Sequence, residues 1–337
     1  MRTPVVFVTG AGGEIGHALV ARLAGTGAPI VTLDVRPLDP GLAALVTREF
    51  TGSITDARLL ERILAEFEVD RLFHLAALLS TRGEFTPVTA HQVNVEGTLA
   101  LLEFAQREGE SHGRPVLFIY PSSIAAYGLP GRRAKMAAGR VREGEHAHPI
   151  TMYGCNKLYC EELGRYYARH YKQLSADAVP RVDFRAVRFP GLISATTTPS
   201  GGTSDYASEM MHAAARGVPY ACFVEPDTTI PFMAMPDACD ALVGLADAPR
   251  HRLSRTTYNV SAFSVSAARI REVVLAAFPR AGIAYKIDDK RQRIVDSWPA
   301  EVDDTAARAD WAFSPVYDCD GAFREYLIPT IRRHYVP

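Results

Sequence analysis

Tyr153 and Lys157, in the run Tyr153-Gly154-Cys155-Asn156-Lys157, stand four residues apart. On a helix that spacing puts a phenol and an ammonium on one face. A phenol accepts a proton only when ionised, and a nearby cation favours that form. On its own, such a pair is just as readily an incidental feature of a surface. Pro121-Ser122-Ser123, however, ends the strand pattern that comes before it, and ligands bind at the carboxyl ends of strands in open α/β sheets. Ser123, Tyr153 and Lys157 are therefore a candidate set: a hydroxyl, a phenol and an ammonium that would converge where such a sheet presents its ligand crevice.

A second pattern points to the ligand. The first apolar run is followed by Thr9-Gly10-Ala11-Gly12-Gly13-Glu14-Ile15-Gly16, a G-x-x-G-x-x-G spacing that opens a helix. Glycines here allow a tight turn, let backbone amides approach a pyrophosphate and bring the helix close to the sheet. The alternative is a plain strand-to-helix turn. Two features argue for a dinucleotide site: its place at the first such junction, and Asp34, eighteen residues past Gly16, closing the next strand pattern. A carboxylate there can hydrogen-bond both ribose hydroxyls and repels a 2′-phosphate, which favours NAD over NADP. Arg36 is the complication, because an arginine nearby can accommodate that phosphate.

The elements that must hold these residues alternate. Strands are expected at Val5–Thr9, Ile30–Asp34, Arg48–Thr51, Arg71–Leu75, Val116–Pro121 and Asp183–Arg188. Helices are expected near Glu14–Ala24, Asp56–Phe67, Pro87–Glu108 and Thr151–Tyr171. Strand and helix in that order give an α/β doubly wound parallel sheet. Leu129–Pro149, with Arg132, Arg133, Lys135, Arg140 and Arg142, reads as an exposed basic loop, and Pro190–Gly202 as a segment that could cover a substrate. Beyond it come shorter mixed elements, with helices at Asp205–Ala215, Pro236–Ala246 and Ser266–Ala277, and Thr257–Val260 looks like a strand returning to the large sheet. The expected organisation is a dinucleotide-binding domain over 1–190, joined by about 228–262, and a smaller carboxy-terminal α/β substrate domain, not contiguous, over most of 191–337.

Composition narrows the function. The 37 basic residues are balanced by 38 acidic ones, so there is no electrostatic footprint for nucleic acid or an anionic membrane. No apolar run reaches the ~18 residues that a membrane span needs. The five cysteines form no C-x-x-C pair and are odd in number, which suggests a reducing, cytoplasmic setting rather than a disulfide framework or a zinc ribbon. His146-Ala147-His148 has no third ligand at a recognisable spacing, and His74, at a strand end, reads as a packed or cofactor-edge histidine. No metal is expected.

Taken together, the glycine turn, His74-Leu75-Ala76-Ala77, Asn94-Val95-Glu96-Gly97-Thr98, Pro121-Ser122-Ser123-Ile124-Ala125-Ala126-Tyr127-Gly128 and Tyr153-x-x-x-Lys157 resemble the extended short-chain dehydrogenase/reductase superfamily, which has a Rossmann fold. The second half resembles the metal-independent, UDP-galactose-epimerase-like L-threonine 3-dehydrogenases. The residues that carry this likeness are Arg188 to Ser194, Gly201-Gly202-Thr203-Ser204-Asp205-Tyr206-Ala207, Met235-Pro236-Asp237-Ala238, Arg291 to Pro299 and the Asp303 to Trp311 run.

The resemblance implies that Tyr153 is the acid/base, that Ser123 orients the substrate, and that Lys157 binds the nicotinamide ribose and favours ionised tyrosine. It places NAD against Gly10, Gly13, Glu14, Ile15, Gly16, Asp34, Arg36, Ser53, Ile54, Leu75, Ala76, Ala77, Asn94, Tyr153, Lys157 and Pro190. Ser53-Ile54 departs from the Asp-Ile or Asp-Val common in the superfamily, leaving a neutral hydroxyl toward adenine. Substrate contacts map to Ser80, Ser122, Ser123, Tyr153, Thr203, Ser204 and Asp205, although Thr203-Ser204-Asp205 also reads as a helix N-cap. The reaction implied is oxidation of L-threonine at C3 to 2-amino-3-oxobutyrate. The alternatives are a nucleotide-sugar epimerase or dehydratase with retained NAD, a dehydrogenase of another β-hydroxy amino acid, and a non-catalytic NAD-binding regulator. A homodimer paired through the helices near Pro87–Glu108 and Thr151–Tyr171 is also implied.

Overall fold

A computed structural model describes residues 2–199 and 201–335. Residue 200, inside the expected covering segment, is outside that set. The chain divides into two compact units. One runs up to Ser122 and adds Cys155–Val187 and Leu242–Thr257; the other takes Ser123–Gly154, Arg188–Ala241 and the chain from Tyr258 on. Residues 123–154 thus fall in the second unit, and the late return to the first is 242–257.

The large sheet has seven strands in the order Thr257–Asn259, Val182–Phe189, Val116–Ser123, Phe67–His74, Thr3–Thr9, Ile30–Asp34 and Arg48–Thr51. The Thr257 strand returns to this sheet as expected. Thr3–Thr9 runs parallel to both of its neighbours, Ile30–Asp34 and Phe67–His74. The chain therefore winds outward in opposite directions from these central strands, and the carboxyl ends at Thr9 and His74 flank the switch point where such sheets bind ligands. Val5 to Thr9 are all buried, as expected of a parallel strand covered on both faces. The helix Glu14–Ala24 covers one face through Gly16, Leu19, Val20 and Leu23, a three-and-four spacing that makes one stripe.

Helix Glu14–Ala24 and strands Ile30–Asp34 and Arg48–Thr51 fall where the pattern put them. Two stretches differ. The single helix expected over Pro87–Glu108 is Pro87–His91, a π-helical turn Gln92–Glu96, and Gly97–His112. The basic loop contains a helix, Arg132–Ala138, and a short strand, Arg140–Val141, paired with Glu301–Val302. Lys135 in that helix is buried, and its Nζ donates to the carbonyl of Val295 at 3.0 Å. The local cause is Ala-Lys-Met-Ala-Ala, a run of strong helix formers that a count of charges hides.

The second unit carries a three-stranded sheet of Phe263–Ser266, Thr229–Ala234 and Gly191–Ile193, and a two-stranded one of Ile283–Tyr285 with Tyr220–Cys222. Its core gathers Tyr206, Met210, Phe232, Ile270 and Phe323. No helix among the described residues is long and apolar enough to cross a membrane.

Candidate functional site

The glycine turn is built for close approach. Gly10 has φ +70°, and a Cβ on it would lie 2.5 Å from the Ala76 backbone nitrogen. A Cβ on Gly16 would lie 2.3 Å from the Gly10 carbonyl oxygen. Both positions require glycine, the first for conformation and the second for contact. Gly13 precedes the helix with no side-chain hydrogen bond capping it, and the N-terminal end of a helix favours an anion. Asp34 braces this turn: its Oδ2 accepts from the Gly12 N–H (3.0 Å) and its Oδ1 from the Arg36 N–H (3.1 Å). The Arg36 side chain itself is exposed. Ser53 Oγ lies 2.7 Å from Thr55 Oγ1, and Ile54 is buried. A turn only glycine can make, an uncapped helix start and a carboxylate at the end of the second strand fit a dinucleotide's pyrophosphate and ribose.

Leu75, Ala76 and Ala77 leave the central strand beside this turn, with the Leu75 N–H donating to Thr9 O at 3.0 Å. Asn94 clamps the loop that follows. Its Oδ1 accepts from the Leu78 N–H (2.8 Å) and its Nδ2 donates to Leu78 O (3.0 Å). The Asn94 amide is thereby engaged with the loop, which shapes the surface that Ala76 and Ala77 offer. Asn94 sits in the π-helical turn, and turns of that kind cluster at functional sites. Ser80 opens the next short helix and is buried. His74 lies between hydroxyls, with Nδ1 2.8 Å from Thr9 Oγ1 and Nε2 2.9 Å from Thr98 Oγ1. Burial first, and then the Lys157 charge, push it down to about 3, so it is a neutral packing histidine.

Lys157 is buried in the first unit. Its Nζ donates to the Pro121 carbonyl at 2.6 Å and lies 4.4 Å from the Tyr120 ring centroid. Burial pulls its ammonium down to about 8, while Cys160 and Glu161 oppose the shift. Ser122, also buried, donates its hydroxyl proton to Glu161.

In the second unit Ser123 and Tyr153 meet, joined by a side-chain hydrogen bond. Ser123 Oγ also accepts from the Ala125 N–H at 3.1 Å, starting the turn Ile124–Ala126. Burial pushes the Tyr153 phenol up, and the Ser123 bond opposes it. The expected lowering is therefore not what this environment produces on its own, because desolvation of the phenolate outweighs a single hydroxyl donor. Tyr153 opens the helix Met152–Arg169, and Thr151 caps it by accepting the Gly154 N–H at 3.1 Å. Sequence reasoning missed Gly154. A Cβ there would lie 2.1 Å from Ala125 O, so only glycine lets the helix start this close to the turn after Ser123.

Pro190 is buried at the start of the strand Gly191–Ile193. A Cβ on Gly191 would approach Ser204 Cβ at 3.4 Å. Thr203 is buried, whereas Ser204 and Asp205 are half-buried. Asp205 is the N-cap residue of the helix Tyr206–Arg216, as expected, but its carboxylate makes no capping bond to the helix: its Oδ2 accepts the N–H of Gly202 at 2.6 Å, folding back on the turn. Arg291 supports this turn from beneath. Its Nη2 donates to Gly202 O at 3.1 Å, and its guanidinium lies 3.2 Å from the Phe223 ring centroid.

The doubly wound sheet with its glycine turn in the first unit, and the Ser123–Tyr153 pair in the second, are those of an extended short-chain dehydrogenase/reductase. The model of the NAD dependent epimerase/dehydratase family matches residues 6–261, and the chain belongs to that family. It is 35% identical to an uncharacterized epimerase/dehydratase of Staphylococcus saprophyticus, over 93% of this chain and 92% of the relative. Among solved structures it is similar to a monomeric L-threonine 3-dehydrogenase from a metagenome (33% identity, TM-score 0.85, 98% of this chain and 100% of that one). It is likewise similar to the GalE-like L-threonine dehydrogenase of Cupriavidus necator in its holo form (34% identity, TM-score 0.83, 97% and 99%).

Proposed function

We propose that the protein oxidises the C3 hydroxyl of L-threonine to 2-amino-3-oxobutyrate with NAD⁺. The observation that carries this reading is the Tyr153–Ser123 hydrogen bond at the start of a helix whose next turn bears the buried Lys157. The full-length likeness to threonine dehydrogenases supports the choice of substrate.

Gly10, Gly13, Glu14, Ile15 and Gly16 hold the pyrophosphate, Asp34 the adenosine ribose, and Ser53 and Ile54 the adenine edge, with Arg36 beside them. Leu75, Ala76 and Ala77 would hold the nicotinamide end, with Asn94 shaping their loop; Lys157 would bind the nicotinamide ribose, and Pro190 is assigned to the same cofactor by the family likeness. Bound NAD⁺ supplies the hydride acceptor and a positive charge. Tyr153 as phenolate takes the proton of the C3 hydroxyl while Ser123 donates to that oxygen and fixes its direction. A phenol that burial holds high ionises at working pH only beside added positive charge. Deprotonation is thereby tied to the loaded site. Ser80, Thr203 and Ser204 are assigned to supply hydroxyls and Asp205 a carboxylate for the zwitterion, whose ammonium needs an acceptor and whose carboxylate needs donors; Ser122, whose proton goes to Glu161, can serve it only as an acceptor.

The test is NADH formation by the purified chain with NAD⁺ and L-threonine in the presence of chelator, run beside L-serine, L-allo-threonine and UDP-galactose. Threonine-dependent NADH supports the reading. Epimerised sugar nucleotide with tightly retained NAD⁺, and no NADH from any amino acid, would replace it.

A further inference from the structure

One turn beyond Lys157 on the same helix stands Glu161, a carboxyl only 3% exposed that the proposed reaction leaves without a role. A carboxylate this buried is costly unless hydrogen-bonded and charge-compensated. Ser122 Oγ donates to it, and Lys157 is the cation on the preceding turn. The helix therefore holds consecutive residues of the strand end: Lys157 takes the Pro121 carbonyl at 2.6 Å, and Glu161 takes the Ser122 hydroxyl. The chain then continues directly into Ser123.

We propose that Glu161 is a positioning residue of the reaction: it pins Ser122, fixing the strand end from which Ser123 follows, and supplies the countercharge for the Lys157 ammonium. The inference rests on the roles proposed above for Ser123 and Lys157.

The groups facing Lys157 single out Glu161. From its own helix come Cys160 and Glu161. The strand Phe67–His74 contributes His74, held neutral by burial. From Val116–Ser123 come the Tyr120 ring and the Pro121 carbonyl. Burial pushes the Cys160 thiol up, which favours its uncharged form, so it counters the Lys157 shift only at alkaline pH. Among these described neighbours Glu161 is the one carboxylate, and burial already draws Lys157 down to about 8. Removing the carboxylate's charge lets that depression grow, so the ammonium is lost at lower pH.

The experiment compares the full-length wild type with Glu161→Gln, Glu161→Asp and Ser122→Ala. NADH affinity is measured by fluorescence titration from pH 6 to 10, and kcat and KM for threonine over the same range. Glu161→Gln nearly preserves volume and can still accept from Ser122, so a fall in its activity is not simply a lost hydrogen bond. The expected result is that its alkaline limb of NADH binding moves down by about one pH unit. Its kcat above that limb falls about tenfold, with threonine KM within a factor of about three. Glu161→Asp restores part of the shift, and Ser122→Ala lowers kcat without moving the limb. An unmoved limb in Glu161→Gln overturns the proposal, as does an equal loss at every pH. Cofactor binding is read without threonine, so a shifted limb in a protein that leaves threonine untouched would refute the substrate assignment and uphold the role of Glu161.

Discussion

Gly154→Ala tests whether the Ser123–Tyr153 pair depends on the close start of its helix. The added Cβ would sit 2.1 Å from Ala125 O, 2.8 Å from Pro149 Cβ and 3.0 Å from the Ala125 carbonyl carbon. Two of these obstacles are backbone, so no side chain can rotate out of the way. Ordinary contact begins near 3.4 Å; the helix start and the turn after Ser123 must therefore separate by roughly 1.3 Å. That displacement falls between Tyr153, one residue before the substitution, and Ser123, whose Oγ is tied to the turn through the Ala125 N–H. A shift of about 1 Å in a reacting constellation costs on the order of 100-fold. Gly154→Ala should accordingly lower kcat/KM for threonine about 100-fold while NADH affinity, assigned chiefly to the glycine turn and Asp34, stays within about threefold. Circular dichroism and the thermal midpoint check that the variant is folded. A folded variant with wild-type kcat/KM would refute the argument, because the pair would then not depend on the close packing that glycine permits.

Tyr153→Phe removes the acid/base and should lower kcat by about 1000-fold or more while binding NADH almost normally, measured by steady-state rates and fluorescence. Asp34→Ala loses the acceptor of two backbone N–H groups together with the charge that repels a 2′-phosphate; the ratio of kcat/KM for NADP⁺ to that for NAD⁺ should rise at least about tenfold, and an unchanged ratio would remove Asp34 from cofactor choice. His74, at about 3 in the folded chain against 6.5 in the open one, binds more protons when unfolded. Its contribution is complete above about pH 6.5 and is lost as pH falls towards 3, by about 1.4 kcal/mol per pH unit inside that window. Denaturant titrations of wild type and His74→Gln should show a shallower acid slope in the variant. Leu99, Tyr159 and Tyr166 are exposed on the helices proposed to pair two copies, so light scattering should return a dimer, and a monomer would refute that pairing.

The parts of the fold that could be read from sequence are those where local and tertiary preferences agree. Val5 to Thr9 is β-branched or aromatic along most of its length and buried throughout, so its strand was visible before any partner was known. Glu14–Ala24 carries its buried stripe at helical spacing. Thr229–Ala234 carries Pro231 inside it, and proline argues against a strand wherever the partner is unknown. The π-helical turn Gln92–Glu96 could not be seen. Asn94 gives its carbonyl to Thr98 Oγ1 and Cys160 Sγ and its side chain to Leu78, and these bonds come from residues four to 66 positions away.

The same division runs through the site. Tyr153 and Lys157 stand out because a helix converts a spacing of four into a shared face, and Gly10 because a tight strand-to-helix turn with positive φ demands glycine in a fixed place. Gly154 is equally constrained, yet its constraint is the Ala125 carbonyl, 29 residues earlier in the chain. Glu161 continues the 153, 157 progression by one more turn and would pass for a solvated acid on any helical wheel. What distinguishes it is burial against Ser122, a residue whose own place in sequence suggested substrate. The residues proposed to carry chemistry are thus legible where one element sets their spacing. Where two elements must touch, the residues that hold those side chains in register become visible only in the folded chain, and they are the ones whose substitution separates positioning from chemistry.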